Sequence, residues 1–114
     1  MSDEVAGHVH RFNTAVRGGD WEQFGAGFAP DATVDFDGAT VPPMAGRAAI
    51  VDGYHAMPPD DTLTVLSTEL DGERVIATFA WDAEPGIAAG AFVIGAAGGL
   101  ITRLTVRLGA PAAR

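Results

Sequence analysis

The chain has 114 residues, of which 47% are hydrophobic and 19% charged, enough for one core in one domain and too apolar for a disordered chain. Its formal charge of -8, carried against seven arginines and no lysine, repels nucleic acid and anionic membrane. No cysteine is present, which excludes disulfides, thiolate nucleophiles and Cys-ligated zinc.

Val5, Val9, Phe12 and Val16 recur at helical spacing and predict a first helix that ends at Gly18-Gly19. Asp20, with Gln23 three residues on, is the start signal of a second, short helix. Trp21, Phe24 and Phe28 give that helix an aromatic face, and Gly25 and Gly27 allow a neighbour to approach closely. Pro30-Asp31 stops it, and Ala32–Phe36 reads as a first strand. A loop follows over Gly38–Ala45, then a third helix over Arg47–Met57 with Ala49, Ile50 and Tyr54 on its buried side. Four strands are then expected, at Thr62–Leu70, Arg74–Ala83, Ala88–Ile94 and Leu100–Leu108. Gly109–Arg114 is a tail. Helices first and a meander of strands afterwards imply an α+β domain with a mainly antiparallel sheet curled around three helices. The acidic start Met1-Ser2-Asp3-Glu4 has no apolar run behind it, so no signal peptide is expected and the cytoplasm is the expected location. The weakly polar stretch Pro85–Ile101 is cut by five glycines and cannot form a membrane helix of roughly 20 residues.

The run Arg11-Phe12-Asn13-Thr14-Ala15-Val16-Arg17-Gly18-Gly19-Asp20-Trp21 is followed by Phe28-Ala29-Pro30-Asp31-Ala32-Thr33-Val34 and Gly46-Arg47-Ala48-Ala49-Ile50. These three pieces, in this order, resemble the opening of the nuclear transport factor 2-like (SnoaL-like) superfamily over Val9–Tyr54. The resemblance implies a single domain of cone-shaped α+β barrel form around a cup for a small hydrophobic molecule. It leaves activity open, because the fold hosts isomerases, hydrolases, cyclases, dehydratases and binders. Ketosteroid isomerase is the member most similar in length and opening pattern. Its first-helix tyrosine falls on Phe12, which has no hydroxyl, and its protonated aspartate falls near Gly90, in a region without carboxylates. Its base falls on Phe36 or on Asp37, according to where one residue is inserted. Tyr54 matches a tyrosine that supports the oxyanion hole. Steroid isomerase chemistry of the familiar form is therefore not expected. Nor is the relay of limonene epoxide hydrolase, since no Arg-x-Asp occurs.

Several polar residues stand in apolar surroundings. Asp35 and Asp37 alternate with Val34 and Phe36, so both face outward unless a local bulge turns Asp37 into the cup, where apolar walls would raise its pKa toward that of a base. The strand Val75–Trp81 is apolar on both faces. If Thr78, Ala80 and Asp82 line the cup, Asp82 is a second acid; if Phe79 and Trp81 line it, Asp82 only ends the strand. The face left over on that strand predicts a homodimer. His8 and Asn13 flank the first-helix stripe and reach the cup's rim, while His8, His10 and His55 together have no spacing for a metal. Arg103 and Arg107 alternate with Leu104, Val106 and Leu108 and are expected on the convex face.

The expected function is a cofactor-free acid/base isomerase, cyclase or dehydratase acting on a hydrophobic oxygenated molecule. Asp37 is the base, Tyr54 a hydrogen-bond donor and Asp82 a second acid, with Phe12, Trp21, Phe28, Phe36 and Trp81 shaping the pocket. The alternative is a non-catalytic binder on the same fold. No metal, nucleic-acid or membrane partner is expected.

Overall fold

The computed structural model describes residues 3–38 and 41–109, with the side chain of residue 3 left aside. The tail beyond Gly109 and two positions of the loop after the first strand lie outside the described residues. Helices α1 (Asp3–Gly18), α2 (Trp21–Gly25) and α3 (Arg47–Ala56) pack on strands β1 (Phe28–Asp37), β2 (Met44–Ala45), β3 (Leu63–Asp71), β4 (Arg74–Trp81), β5 (Gly90–Ala97) and β6 (Leu100–Leu108). The six strands form one sheet in the order β2-β1-β6-β5-β4-β3. β1 and β6 run parallel and the other neighbours antiparallel. The α+β class holds, but the expected barrel does not close: among the described residues β2 and β3 are the outermost strands of an open sheet.

The start signal for α2 acts as expected, the Gln23 amide donating to Asp20 Oδ1 at 3.1 Å. The helix ends sooner than its aromatic spacing suggested. Phe28 is already strand, paired with Ile101, and Pro30 sits where the β1–β6 register shifts before Thr33. The Phe28 carbonyl accepts instead from Arg47, through Nε at 3.0 Å and a terminal nitrogen at 2.5 Å, which ties the start of α3 to β1. β2 was not foreseen, and β5 runs on through the expected Gly95 turn to Ala97.

On α1 the buried residues are Val5, His8, Phe12 and Ala15, while Val9 and Val16 are only partly buried. The buried stripe is thus rotated toward His8. On α3 Ile50 and Tyr54 are buried and Ala49 is exposed. Inside the sheet, Val34, Val75, Ala77, Phe79, Phe92, Ile94, Ile101 and Leu104 complete the core.

α2 crosses α3 at Gly25, where an added Cβ would overlap Cγ2 of Val51. Val is stiff at χ1 and cannot swing clear cheaply. An alanine at Gly25 would gain at most about 1 kcal/mol of helix propensity, against about 1–3 kcal/mol for overpacking. Gly25→Ala is therefore expected to destabilise the fold, read as a lower urea midpoint at unchanged slope; a raised midpoint would show that the helices separate without cost.

Candidate functional site

The open end of the sheet and the C-terminal end of α3 enclose a cavity of about 220 Å³ whose walls include His8, Phe12, Phe36, Tyr54, Leu63, Phe79, Trp81, Phe92 and Val106, with Met57, Pro59, Asp60 and Leu108 completing the lining. Each wall follows from strand alternation. Phe79 and Trp81 share the inner face of β4 and their rings meet edge to face at 5.2 Å. Phe36 and Val106 face each other across the parallel β1–β6 pair. Asn13 on α1 fixes the rim: its side-chain amide donates to the Leu63 carbonyl and its oxygen accepts from the Leu63 amide, both at 2.9 Å. That exchange imitates a strand neighbour and holds the first residue of β3 against α1.

Of the aromatics expected to shape the pocket, Phe12, Phe36 and Trp81 line it. Trp21 and Phe28 do not. Trp21 is buried behind the wall, stacked on Tyr54 at 5.2 Å, and Phe28 lies edge-on to His8 at 6.1 Å. They back the lining rather than form it, because α2 is too short and β1 begins too early to carry them to the cup.

The two carboxylates expected as acid and base are both outside. Asp37 extends from the convex face, its side chain 67% exposed and its Oδ2 3.9 Å from Arg107 Nε. No bulge turns it inward: β1 and β6 pair in unbroken register from Thr33 to Asp37. Asp35 lies on the same face and accepts from Arg103 at 2.8 Å and 3.2 Å. Both arginines are thus convex, as the alternation implied. Since Phe79 and Trp81 line the cup, Asp82 ends its strand on the other side, fully exposed. There it accepts from the hydroxyls of Thr62 at 2.5 Å and Thr64 at 2.6 Å, and those two bonds hold its carboxyl below the usual range.

Tyr54 does stand in the wall, 6% exposed. Burial pushes its phenol well above the ordinary value, so it stays protonated, and among the described residues its hydroxyl has no hydrogen-bond partner. The residue that the sequence reading undervalued is His8. It is 4% exposed, and its ring packs among Phe12, Phe24, Phe28 and Phe92. Its Nδ1 is buried without a partner. Burial first, and the Arg11 charge second, push its pKa down to about 3. The signal was present in the sequence: positions 5, 8, 12 and 15 follow the 3-4-3 spacing of one helix face. Gly90, where the isomerase resemblance asks for an acid, tolerates no side chain, since an added Cβ would overlap the Arg107 carbonyl oxygen. Asp60 at the rim, exposed, is the single carboxylate among the described lining residues. Among the described residues no group of three or more His, Asp or Glu could hold a metal ion, and no helix is long and apolar enough to cross a membrane.

A buried neutral histidine links stability to pH. The unfolded chain takes up the His8 proton near pH 6.5 and the folded chain only near 3, so the unfolded state binds more protons between those values. Stability contributed by neutral His8 is complete above pH 6.5, falls by up to about 1.4 kcal/mol per pH unit below it, and stops falling once the folded form also protonates. The difference in unfolding free energy between the parent and His8→Phe should therefore shift in favour of the variant on acidification from pH 7 to 4. A constant difference would mean that His8 is protonated in the folded chain.

With this geometry in view, the resemblances to known proteins fall into place. No functionally curated protein matches the sequence. An NTF2-like protein of unknown function from Cytophaga hutchinsonii superposes with a TM-score of 0.69 at 17% identity, over 93% of this chain and 87% of that one. A candidate polyketide cyclase from Sinorhizobium meliloti gives 0.64 at 23% identity, covering 93% and 94%. A hypothetical protein of ketosteroid isomerase-like fold from Catenulispora acidiphila, solved with trimethylamine, gives 0.65 at 22%, covering 87% and 82%. At such identities these neighbours establish the fold alone. The family described as SnoaL-like domain matches residues 9–104, and the chain belongs to that family, on the nuclear transport factor 2-like cone fold.

Proposed function

We propose that this protein binds one small, uncharged, apolar molecule bearing an oxygen, in the cavity between α1, α3 and the sheet. The observation that carries this reading is the character of the walls: nearly all apolar, with neutral His8 and protonated Tyr54 as the buried polar groups. Such a cavity rejects a charge, which would lose its hydration without gaining a partner. Tyr54 can donate to a carbonyl or hydroxyl oxygen. Proton transfer by Asp37 or Asp82 is not supported, because both carboxylates lie on the far side of the sheet, and an imidazole of pKa about 3 is a poor base at neutral pH. Binding without acid/base turnover is therefore the reading to test.

A six-membered cyclic ketone and the carboxylate of matched size provide the comparison. The ketone is expected to bind, followed by Trp81 fluorescence or calorimetry, and the carboxylate to be excluded. Tyr54→Phe should weaken the ketone roughly two- to tenfold, the worth of one hydrogen bond, and leave the matched hydrocarbon unchanged. Equal binding of ketone and carboxylate would overturn the reading.

We also infer that the protein works as a homodimer through the convex face. There Ile76 and Thr78 of β4 and Ala91 of β5 are half-buried around the buried Ala80 and Val93, an uncharged strip flanked by the Asp35–Arg103 pair. One sheet face supplies about the 800 Å² per partner of a standard interface. Sedimentation equilibrium should give a dimer for the parent at micromolar concentration and a monomer for Thr78→Arg; a monomeric parent would reject the interface.

A further inference from the structure

The cup is not the only apolar cavity, and its size raises a question. At about 220 Å³ it is smaller than the roughly 300–1,000 Å³ of common small-molecule sites. A second cavity of about 500 Å³ lies on the other side of Phe36 and Tyr54, between α3 and the segment Val41–Met44. The two share a wall made of Phe36, Tyr54, Met57 and Pro59. Apart from the Tyr54 hydroxyl, every described side chain lining the second cavity is uncharged and apolar.

Met57 marks the junction. It borders both cavities and is 70% exposed, a long flexible apolar side chain left in water at the rim between two apolar hollows. α3 carries Gly53 at the wall of the second chamber, and the Met44 side chain lies across its backbone. A Cβ at Gly53 would come within 2.5 Å of Met44 Cε and 2.9 Å of Sδ. Since those atoms are the mobile end of the chain, they would be driven into the chamber rather than the helix being displaced.

We propose that the second chamber is a binding subsite for an aliphatic chain, so that the ligand is an elongated neutral amphiphile. Its oxygen-bearing head occupies the cup and its hydrocarbon tail passes over the Met57–Pro59 rim into the chamber beside Met44. The inference rests on the reading of the cup given above and adds the substrate class. The two hollows border the same four residues, Phe36, Tyr54, Met57 and Pro59, none of them charged. Alkyl chain is the occupant that such a surface rewards, at about fourfold in affinity per methylene buried.

A series of straight-chain methyl ketones of increasing length, titrated calorimetrically into the full chain, tests this. For the parent, affinity should climb by up to about fourfold per methylene and continue beyond the length at which it levels off in Gly53→Ala and Ala49→Phe. The first variant pushes the Met44 thioether into the chamber, and the second fills it from an exposed position on α3 that needs no repacking of the core. The shortest ketones should bind all three proteins alike. A plateau at the same chain length in parent and variants would overturn the subsite. Alkylbenzenes of matched chain length, which lack the oxygen, separate this from the reading of the cup. If they keep the length dependence and lose it in Ala49→Phe while ketones show no preference for Tyr54 over phenylalanine, the chamber stands and the head-group assignment falls.

Discussion

Everything in this molecule turns on the ring of Phe24. It is fully buried on a helix of only five residues. There it meets His8 and Phe12 of α1, Trp21 of its own helix, Phe28 of β1 and Tyr54 of α3, with ring centres 4.8–6.2 Å apart. Three helices and the first strand are thereby fixed about one point. Each aromatic pair contributes about 0.5–1.5 kcal/mol beyond its buried area, enough for one short helix, itself too short to persist alone, to serve as the joint. Asp20 starts that helix and Gly25 lets it lie against α3, so its position follows from its two ends as much as from its rings.

The same cluster decides the electrostatics of the cup. His8 and Tyr54 are in contact with it, and desolvation keeps each in its uncharged form, lowering the imidazole pKa and raising that of the phenol. The charged residues of β1 and β6 are instead on the convex face, where Asp35 with Arg103 and Asp37 with Arg107 run along the parallel pair. Such exposed pairs contribute little to stability. Their effect is on organisation: with the charged residues of β1 and β6 outside, the opposite faces of those strands are free to be apolar walls. An apolar cup and a charged outer surface are two consequences of one alternation.

What the sequence by itself determined was whatever depends on neighbours within about four residues. The end of α1 at Gly18, the Asp20 start of α2, the strand at Leu100–Leu108 and the placement of Arg103 and Arg107 all follow from local spacing. The resemblance over Val9–Tyr54 lay in the residue run itself, and the family match over residues 9–104 agrees with it. The early start of β1 was hidden because Pro30 reads as a breaker, and its role in a strand depends on Arg47 taking the Phe28 carbonyl. His8 was hidden by its chemistry: a polar residue on a helical stripe looks like an edge until the rings that enclose it, drawn from three other elements, are in place. Tertiary structure alone decided which faces of β1 and β4 line the cup, because that depends on register with strands far away, as in the pairing of Asp35 with Arg103 across 68 positions. A period of two allows either face, and a single bulge would have exchanged Asp37 for Phe36. The second chamber is likewise beyond local pattern, since it exists only where the segment Val41–Met44 and the α3 residues Gly53 and Tyr54 leave space between them.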